Sequence, residues 1–405
     1  MNTDNQLRDE LRDRAGDIDG HLIGLDAVKQ SARRTRRQHR IVTGLATAAV
    51  VAAVAIPAGF ITASGSSPSG VGPAGTSTPS VTPGGTRQVR LTTDVATTGS
   101  APNIPYLADG AIHLPNGQDV SVPGHYLSFA QLGDGWVTSE IDADNNTRVS
   151  VLDANGSVLK TVPGGDSIAV SQDGTVAAFA TDGGTIMTIL AGGLPEVFWP
   201  SHEPGVQPVA VSGSTSCQEA QGHGCTIYYN VTGTNKPVAE EVDSHGLNVA
   251  VDDKITKLAD LRSDGSYAGM TSATDTGSCS AAYEPTGDGD LRRTVFSTCD
   301  YTLGKYSPDG RYILGLPAYF DGLGSSSLSI LDAKTGRPVA EFRSQGQDGV
   351  FVSDSVWDEG SDSVLATVWD NGWSLMRLSP DGTLAKIQSF GGNQDNVPVL
   401  FPARP

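Results

Sequence analysis

From about Val89 to the C-terminus, short runs of alternating apolar and polar residues are separated by Gly-centred turns. That period of two is the signature of antiparallel strands with one face buried. Two series of turns interleave. One runs PNG at Gly117, ANG at Gly156, AGG at Gly193, VTG at Gly233, TGDG at Gly287 to Gly289, KTG at Gly336 and PDG at Gly382, at intervals of 37 to 54 residues. The other runs GDG at Asp134, SQDG at Asp173, RSDG at Asp264, SPDG at Asp309 and WDEG at Asp358. The second series turns an inner hairpin and the first an outer one, as in SPDGRYILG followed by LSILDAKTGRPVAEF. The spacing lies near the ~40–45-residue period of a four-stranded propeller blade.

Six such units fit between Tyr126 and Phe390. The ends predict a seventh: NIPYLA, AIHLP and QDVSV precede the first unit, and VPVLF at 397 to 401 follows the last. Sharing one blade between both termini removes the sheet edges of an open array. The expected fold is therefore all-β, a seven-bladed β-propeller over residues 87–405 with a shared-termini closing blade. A β-sandwich would leave the evenly spaced double hairpins unexplained.

A different pattern precedes the strands. Residues 41–63, IVTGLATAAVVAAVAIPAGFITA, carry no charge over 23 residues, enough helix at ~1.5 Å per residue to cross a ~30 Å hydrocarbon core. The preceding KQSARRTRRQHR holds Lys29, Arg33, Arg34, Arg36, Arg37 and Arg40 and no acid. An excess of basic residues marks the cytoplasmic side, so residues 1–40 read as a short cytoplasmic arm and residues 41–63 as one transmembrane helix. A cleaved secretory signal is the rival reading, against which stand the 40-residue arm and an apolar run longer than a ~7–15-residue signal core. Residues 64–86, rich in Ser, Gly, Pro and Thr, read as a flexible tether with a typical span of ~25 Å. The predicted location is the plasma membrane, single-pass, with the propeller outside.

Composition sharpens this picture. The chain has 49 Gly among 405 residues, well above the usual ~7% and suited to turns. Residues 1–40 carry nine Lys/Arg against seven Asp/Glu, which leaves 18 against 38, net −20, in residues 41–405. An acidic body repels phosphate backbones, so nucleic acid is not an expected partner. Cys217, Cys225, Cys279 and Cys299 all fall in the outer domain, where disulfides are expected. Pairing Cys217 with Cys225 and Cys279 with Cys299 would close two short loops; zinc is disfavoured, since no CxxC spacing occurs and only His223 is near.

Tyr306 to Gly315 resembles the repeat of the TolB-type, WD40-like propellers, in which Ser-Pro-Asp-Gly turns the chain between two inner strands. Partial copies stand at Ser171 to Thr175, Arg262 to Ser266 and Ser379 to Thr383. The resemblance implies the fold; propellers of this type include binding modules, assembly factors and hydrolase domains. Trp357-Asp358 and Trp369-Asp370 look like WD dipeptides, but lie 12 residues apart without a preceding Gly-His, and read as packing and turn residues. SQDGTVAAF approaches a sialidase Asp-box without its spacing.

Motifs of catalysis are absent: the sequence has no GxSxG, HExxH or Walker loop, and its seven His are scattered. No enzyme activity and no cofactor are expected. The best calcium candidate is DADNNTRVSVLD, where Asp142, Asp144, Asn146 and Asp153 fall at loop positions 1, 3, 5 and 12, but Thr147 replaces the required Gly. A polar hairpin turn is the preferred reading. In the arm, Thr3 or Asp4 can cap a helix with Leu7 and Leu11 on one face, and Leu22, Leu25 and Val28 repeat the spacing. Such a segment stays disordered, lies on lipid or folds against a partner. The expected function is a non-catalytic ligand- or protein-binding module of the cell envelope. The alternatives are a sensor whose arm contacts a cytoplasmic regulator, resembling membrane-bound anti-sigma proteins in layout, and an extracytoplasmic hydrolase.

Overall fold

A computed structural model describes residues 80–81 and 85–403, apart from 123, 143, 202, 204, 214–216, 218–223, 234–236, 287–291, 320–323, 346–348 and 361. The arm, the apolar span and the orienting Arg33, Arg34, Arg36, Arg37 and Arg40 lie outside the described residues. Among the described residues no helix is long and apolar enough to cross a membrane.

The strands form seven sheets. Blade 1 contains Tyr106–Ala108, Ala111–His113 and Asp119–Ser121, and its innermost strand is the C-terminal Val399–Leu400. Blade 2 is Tyr126–Leu132, Gly135–Ile141, Thr147–Leu152 and Val158–Pro163; blade 3 is Ile168–Val170, Val176–Ala180, Ile186–Leu190 and Glu196–Trp199. Blade 4 is Val206–Ser212, Thr226–Val231, Val238–Asp243 and Asn248–Ala250; blade 5 is Lys257–Leu261, Tyr267–Thr274, Gly277–Pro285 and Arg292–Thr298. Blade 6 is Tyr301–Tyr306, Tyr312–Pro317, Ser327–Asp332 and Pro338–Arg343; blade 7 is Phe351–Trp357, Val364–Trp369, Trp373–Leu378 and Leu384–Phe390. The first strands of successive blades lie side by side, so they ring the central channel. This is a seven-bladed β-propeller, and the three-plus-one closing blade is present as the sequence implies.

Its interior is not one mass but seven layers, one between each pair of neighbouring blades. Val176–Ala180 shows why these residue types are used. Val176, Ala178 and Ala180 pack towards blade 4, while Ala177 and Phe179 pack towards blade 2. A strand sandwiched on both faces buries every side chain, and mostly small ones let the blades approach.

Each second-series turn joins the first and second strands of its blade, and among the described residues each first-series turn joins the third and fourth, with one exception. Gly233 lies between the second and third strands of blade 4, and the outer turn there is Asp243 to Gly246. The VTG tripeptide mimics a turn at nearly the right spacing, and position relative to the strands decides its place. Both turn series emerge on one face of the ring, here the turn face.

Ser80–Val81 and Arg87–Arg90 add to blade 6, the latter parallel to its outermost strand Pro338–Arg343. Sheet pairing thus begins inside the segment read as a tether. The chain then crosses the outer edge of blade 7, where Thr97 bridges Lys386, before it enters blade 1.

Candidate functional site at the mouth of the central channel

At the turn face, the carboxyl ends of the innermost strands of blades 4 to 7 and the inner turn of blade 3 surround a cavity of about 770 Å³. Its polar wall comes from Asp173, Asp260, Arg262, Lys305 and Glu359, and its apolar wall from Val211, Tyr306, Val356 and Trp357. Each polar group is placed by a local device. A bulge after Leu258 shifts the register of Lys257–Leu261 and presents Asp260 beside blade 6, where its carboxylate accepts the Tyr306 N–H at 2.8 Å. Burial pushes the Asp260 pKa up, against the opposing pull of Lys305, two backbone N–H groups and Arg262. A second bulge, between Leu303 and Tyr306, sets Lys305 at the rim. Its carbonyl accepts the indole N–H of Trp357 at 2.8 Å, which fastens blade 6 to blade 7.

Arg262 lies with its guanidinium 5.6 Å from the Tyr306 ring centre and its Nε 3.3 Å from Asp264 Oδ2. The guanidinium occupies the space where a Cβ at Gly310 would stand. Gly310, at φ +72°, therefore serves both its own turn and the neighbouring blade's cation. Asp309 is a backbone device: its Oδ1 accepts from Ser307 Oγ at 2.7 Å and from Arg311 N at 3.0 Å. Burial pushes its carboxyl up, but hydrogen bonds from Arg311 and Ser307 outweigh this and bring it down to about 2. The same network recurs in blade 3, where Ser171 Oγ donates to Asp173 Oδ1 at 2.6 Å and Thr175 N donates at 3.1 Å.

The remaining sequence candidates disperse. Asp142 caps the turn that joins the second and third strands of blade 2, accepting Asp144 N and Asn146 N, both at 2.9 Å, and pairing with Arg148 at 2.7 Å. Hydrogen bonding from Asn146, with smaller help from Asp144 and Arg148, lowers its pKa despite burial. Asp153 caps the outer turn beyond Thr147–Leu152, accepting Asn155 N and Ser157 N. A six-residue strand separates the two ends by about 20 Å, so Asp142, Asp144 and Asn146 do not share a site with Asp153. Among the described residues no group of three metal-ligating side chains converges. The cysteines pair as Cys217–Cys225, across the inner connection of blade 4, and Cys279–Cys299, between the outer two strands of blade 5.

Two features escaped sequence reading. His113, read as isolated, bonds Asp119 through Nδ1 at 2.8 Å and the Ala108 carbonyl through Nε2 at 3.3 Å. With both ring nitrogens engaged in this arrangement, it is held as a blade 1 cross-link. The acids of the two WD dipeptides both hold the N-terminal crossing segment. Asp358 accepts Asn103 N and Arg377 Nη2, each at 2.7 Å, and Asp370 accepts Thr93 N at 2.9 Å and Thr92 Oγ1 at 3.1 Å.

No family model and no curated protein matches the chain. Among solved structures, the β-propeller domain of Cps50 (Swd1) from Myceliophteria thermophila is 11% identical, with 71% of this chain and 90% of that one covered and a TM-score of 0.48. A putative TolB from Agrobacterium tumefaciens is 13% identical, with 61% and 92% covered and a TM-score of 0.41. The β-propeller domain of the Trilobed protease from Pyrococcus furiosus is 12% identical, with 72% and 85% covered and a TM-score of 0.43. These likenesses lie in the fold alone.

Proposed function

We propose that this protein is a membrane-anchored, extracytoplasmic propeller that binds a ligand or protein partner without catalysis, through the mouth of its central channel. The observation that carries the reading is the cavity on the turn face, which draws cations, carboxylates and an indole edge from neighbouring blades. Concave sites with a few fixed polar groups on an apolar wall are the usual form of a binding pocket. The placement outside the membrane rests on residues 41–63 and the basic run before them.

The test is binding of peptide and glycan panels to the full chain in detergent, with wild type beside Lys305→Ala and Glu359→Ala. The expected result is a saturable ligand whose Kd weakens about tenfold when a fixed charged contact is removed, with no turnover. Turnover that co-purifies with the chain and disappears on Asp260→Asn would establish the hydrolase instead. A ligand indifferent to both variants would move the site elsewhere.

A second reading is favoured by the arm, where Leu7 and Leu11, then Leu22, Leu25 and Val28, recur at helical spacing. Folded against a cytoplasmic partner, that arm would make the chain a transmembrane sensor. Capture on residues 1–40 decides this: retention of a regulator lost with Leu7→Ala/Leu11→Ala supports it, and equal retention by both forms rejects it.

A further inference from the structure

The inner turn of blade 7 faces two ways. Trp357 and Glu359 line the channel mouth, while Asp358 between them is fully buried and holds the N-terminal segment. The Asp358 carboxylate accepts Asn103 N at 2.7 Å and Asn103 Nδ2 at 3.3 Å. Its ion-pair partner Arg377 donates to the carbonyl and hydroxyl of Ser100 and to the carbonyl of Ala101, at 2.8 to 3.1 Å. One carboxylate–guanidinium pair supplies the ring's side of all these bonds, so they are made or lost together. The mouth side of the turn is fixed as well. The Trp357 indole donates to the Lys305 carbonyl at 2.8 Å, stacks 6.3 Å from the Tyr312 ring, and shares an apolar layer with Val89 and Leu91 of the N-terminal segment.

The place of this contact follows from how the ring closes. In blades 2 to 7 a connection on the turn face joins the first strand to the second, whereas in blade 1 the first strand comes from the C-terminus and the second from the N-terminus. Residues 100–105 therefore enter on the turn face, beside the inner turn of blade 7. Everything upstream reaches blade 1 through this stretch.

We propose that the Trp357–Asp358–Glu359 turn couples the channel mouth to the crossing segment: a ligand that fixes Trp357 and Glu359 also fixes residues 97–103 against blade 7, and release of the segment weakens the ligand. This rests on the mouth-binding reading above. The two states are segment docked and segment released, a local opening that costs less than global unfolding. Release takes two donors from Asp358 and three acceptors from Arg377 at once, and a buried pair left without them draws water into the turn. The loosened turn no longer holds Trp357 and Glu359 in one geometry, which gives a ligand its preference for the docked state. The coupling is equal in both directions, so occupancy of the mouth is handed to the N-terminal side of the chain.

Hydrogen exchange by mass spectrometry on the full chain in detergent reads residues 97–103, where the N–H groups of Thr98, Gly99 and Asn103 are bonded in the docked state. In the free protein, Trp357→Phe removes the indole donor from Lys305 and should speed exchange there at least about threefold. Val149→Ala, in the layer between blades 2 and 3, should leave it unchanged. With the peptide and glycan panels as probes, a saturating ligand should slow the same exchange at least about fivefold. Its Kd should weaken to a similar extent in Arg377→Met, or about twofold in Asn103→Ala if that chain fails to fold. Exchange at 97–103 that is unchanged in Trp357→Phe, or speeded equally by Val149→Ala, refutes the coupling. A ligand that loses affinity with Lys305→Ala yet leaves exchange at 97–103 unchanged refutes the coupling alone and keeps the mouth as the binding site. Panels with no ligand sensitive to Lys305→Ala or Glu359→Ala overturn the mouth-binding reading, and this inference with it.

Discussion

Gly310 and Gly174 occupy equivalent turns, at φ +72° and +66°, but differ in surroundings: a Cβ at 310 would meet the guanidinium of Arg262, while a Cβ at 174 would meet nothing. Gly174→Ala should therefore cost only the left-handed backbone penalty, about 1 kcal/mol. Gly310→Ala should cost that plus displacement of Arg262 from Tyr306, a further ~0.5–1 kcal/mol. Equilibrium denaturation measures both, and the excess should vanish in an Arg262→Ala background. Equal costs for the two glycines would show that the guanidinium moves aside freely. The turn was legible because Ser, Pro, Asp and Gly each have a local reason to be there; the guanidinium was not, because it arrives from another blade. Asp354, on the innermost strand of blade 7, carries a pH prediction. Burial pushes its carboxyl up to about 6, opposed by a hydrogen bond from Ser355 N. A raised carboxyl makes the folded state the tighter proton binder, so stability falls as pH rises from about 4 to 6 and the loss is complete at pH 7. Because solvent reaches part of the side chain, Asp354→Asn should stabilise the protein by about 1–2 kcal/mol at pH 7 and leave it unchanged near pH 3. Thermal unfolding across that range checks it; the same gain at both pH values would contradict the mechanism.

The crossing segment, residues 86–103, shows what strand alternation conceals. Leu91 is buried between blades 6 and 7, and Thr92, Thr93 and Asn103 donate to carboxylates from the opposite end of the chain, 255 residues away for Asn103 and Asp358. Asp358 and Arg377 form a buried ion pair, 0% and 14% exposed at the side chain, and Arg377 also donates to the carbonyls of Ser100 and Ala101. Removing one partner of such a pair strands the other, at about 3–5 kcal/mol. Arg377→Met should therefore lower the denaturation midpoint sharply and speed trypsin cleavage after Arg90, read as the rate of loss of the intact band. Asp358→Leu combined with Arg377→Met should recover part of that stability without restoring protection of the segment, because Asn103 then has no acceptor there. Unchanged cleavage in Arg377→Met would mean that Leu91 and the pairing with blade 6 hold the segment by themselves. In the sequence the two Asp residues read as turn residues of Trp-Asp dipeptides, Asp358 also marking an inner turn, and nothing tied either to the N-terminal segment. Their role depends on which blade faces the N-terminus, which no local pattern encodes.

At the scale of the ring, the blade count was legible because every blade repeats the same two hairpins, whereas the weights of the seven interfaces depend on how the ends meet. Six interfaces join blades continuous in sequence, and one depends on Val399–Leu400 pairing with Leu107 and Ala108. Val399 and Phe401 are buried against blade 7 and the rest of blade 1, and Ala403 N donates to the Phe129 carbonyl of blade 2 at 2.7 Å. Burying each large apolar side chain is worth about 1.5–3 kcal/mol, so the last nine residues carry a sizeable share of a domain stability of ~5–15 kcal/mol. Contacts in repeat arrays run mainly between neighbours, so loss of one interface should be felt locally before it is felt everywhere. Truncation after Asn396 should consequently strip hydrogen-exchange protection from residues 104–122 and 351–390, the two sides of the opened seam. Blades 3 to 5, with interfaces intact on both faces, should keep most of theirs. The open inner edge of Tyr106–Ala108 would also offer unpaired backbone groups to other chains, so aggregation should rise with concentration. Hydrogen exchange by mass spectrometry distinguishes the alternatives: uniform loss around the ring would mean that closure is a condition of folding for every blade, and loss confined to the seam would mean that it is one bond among seven.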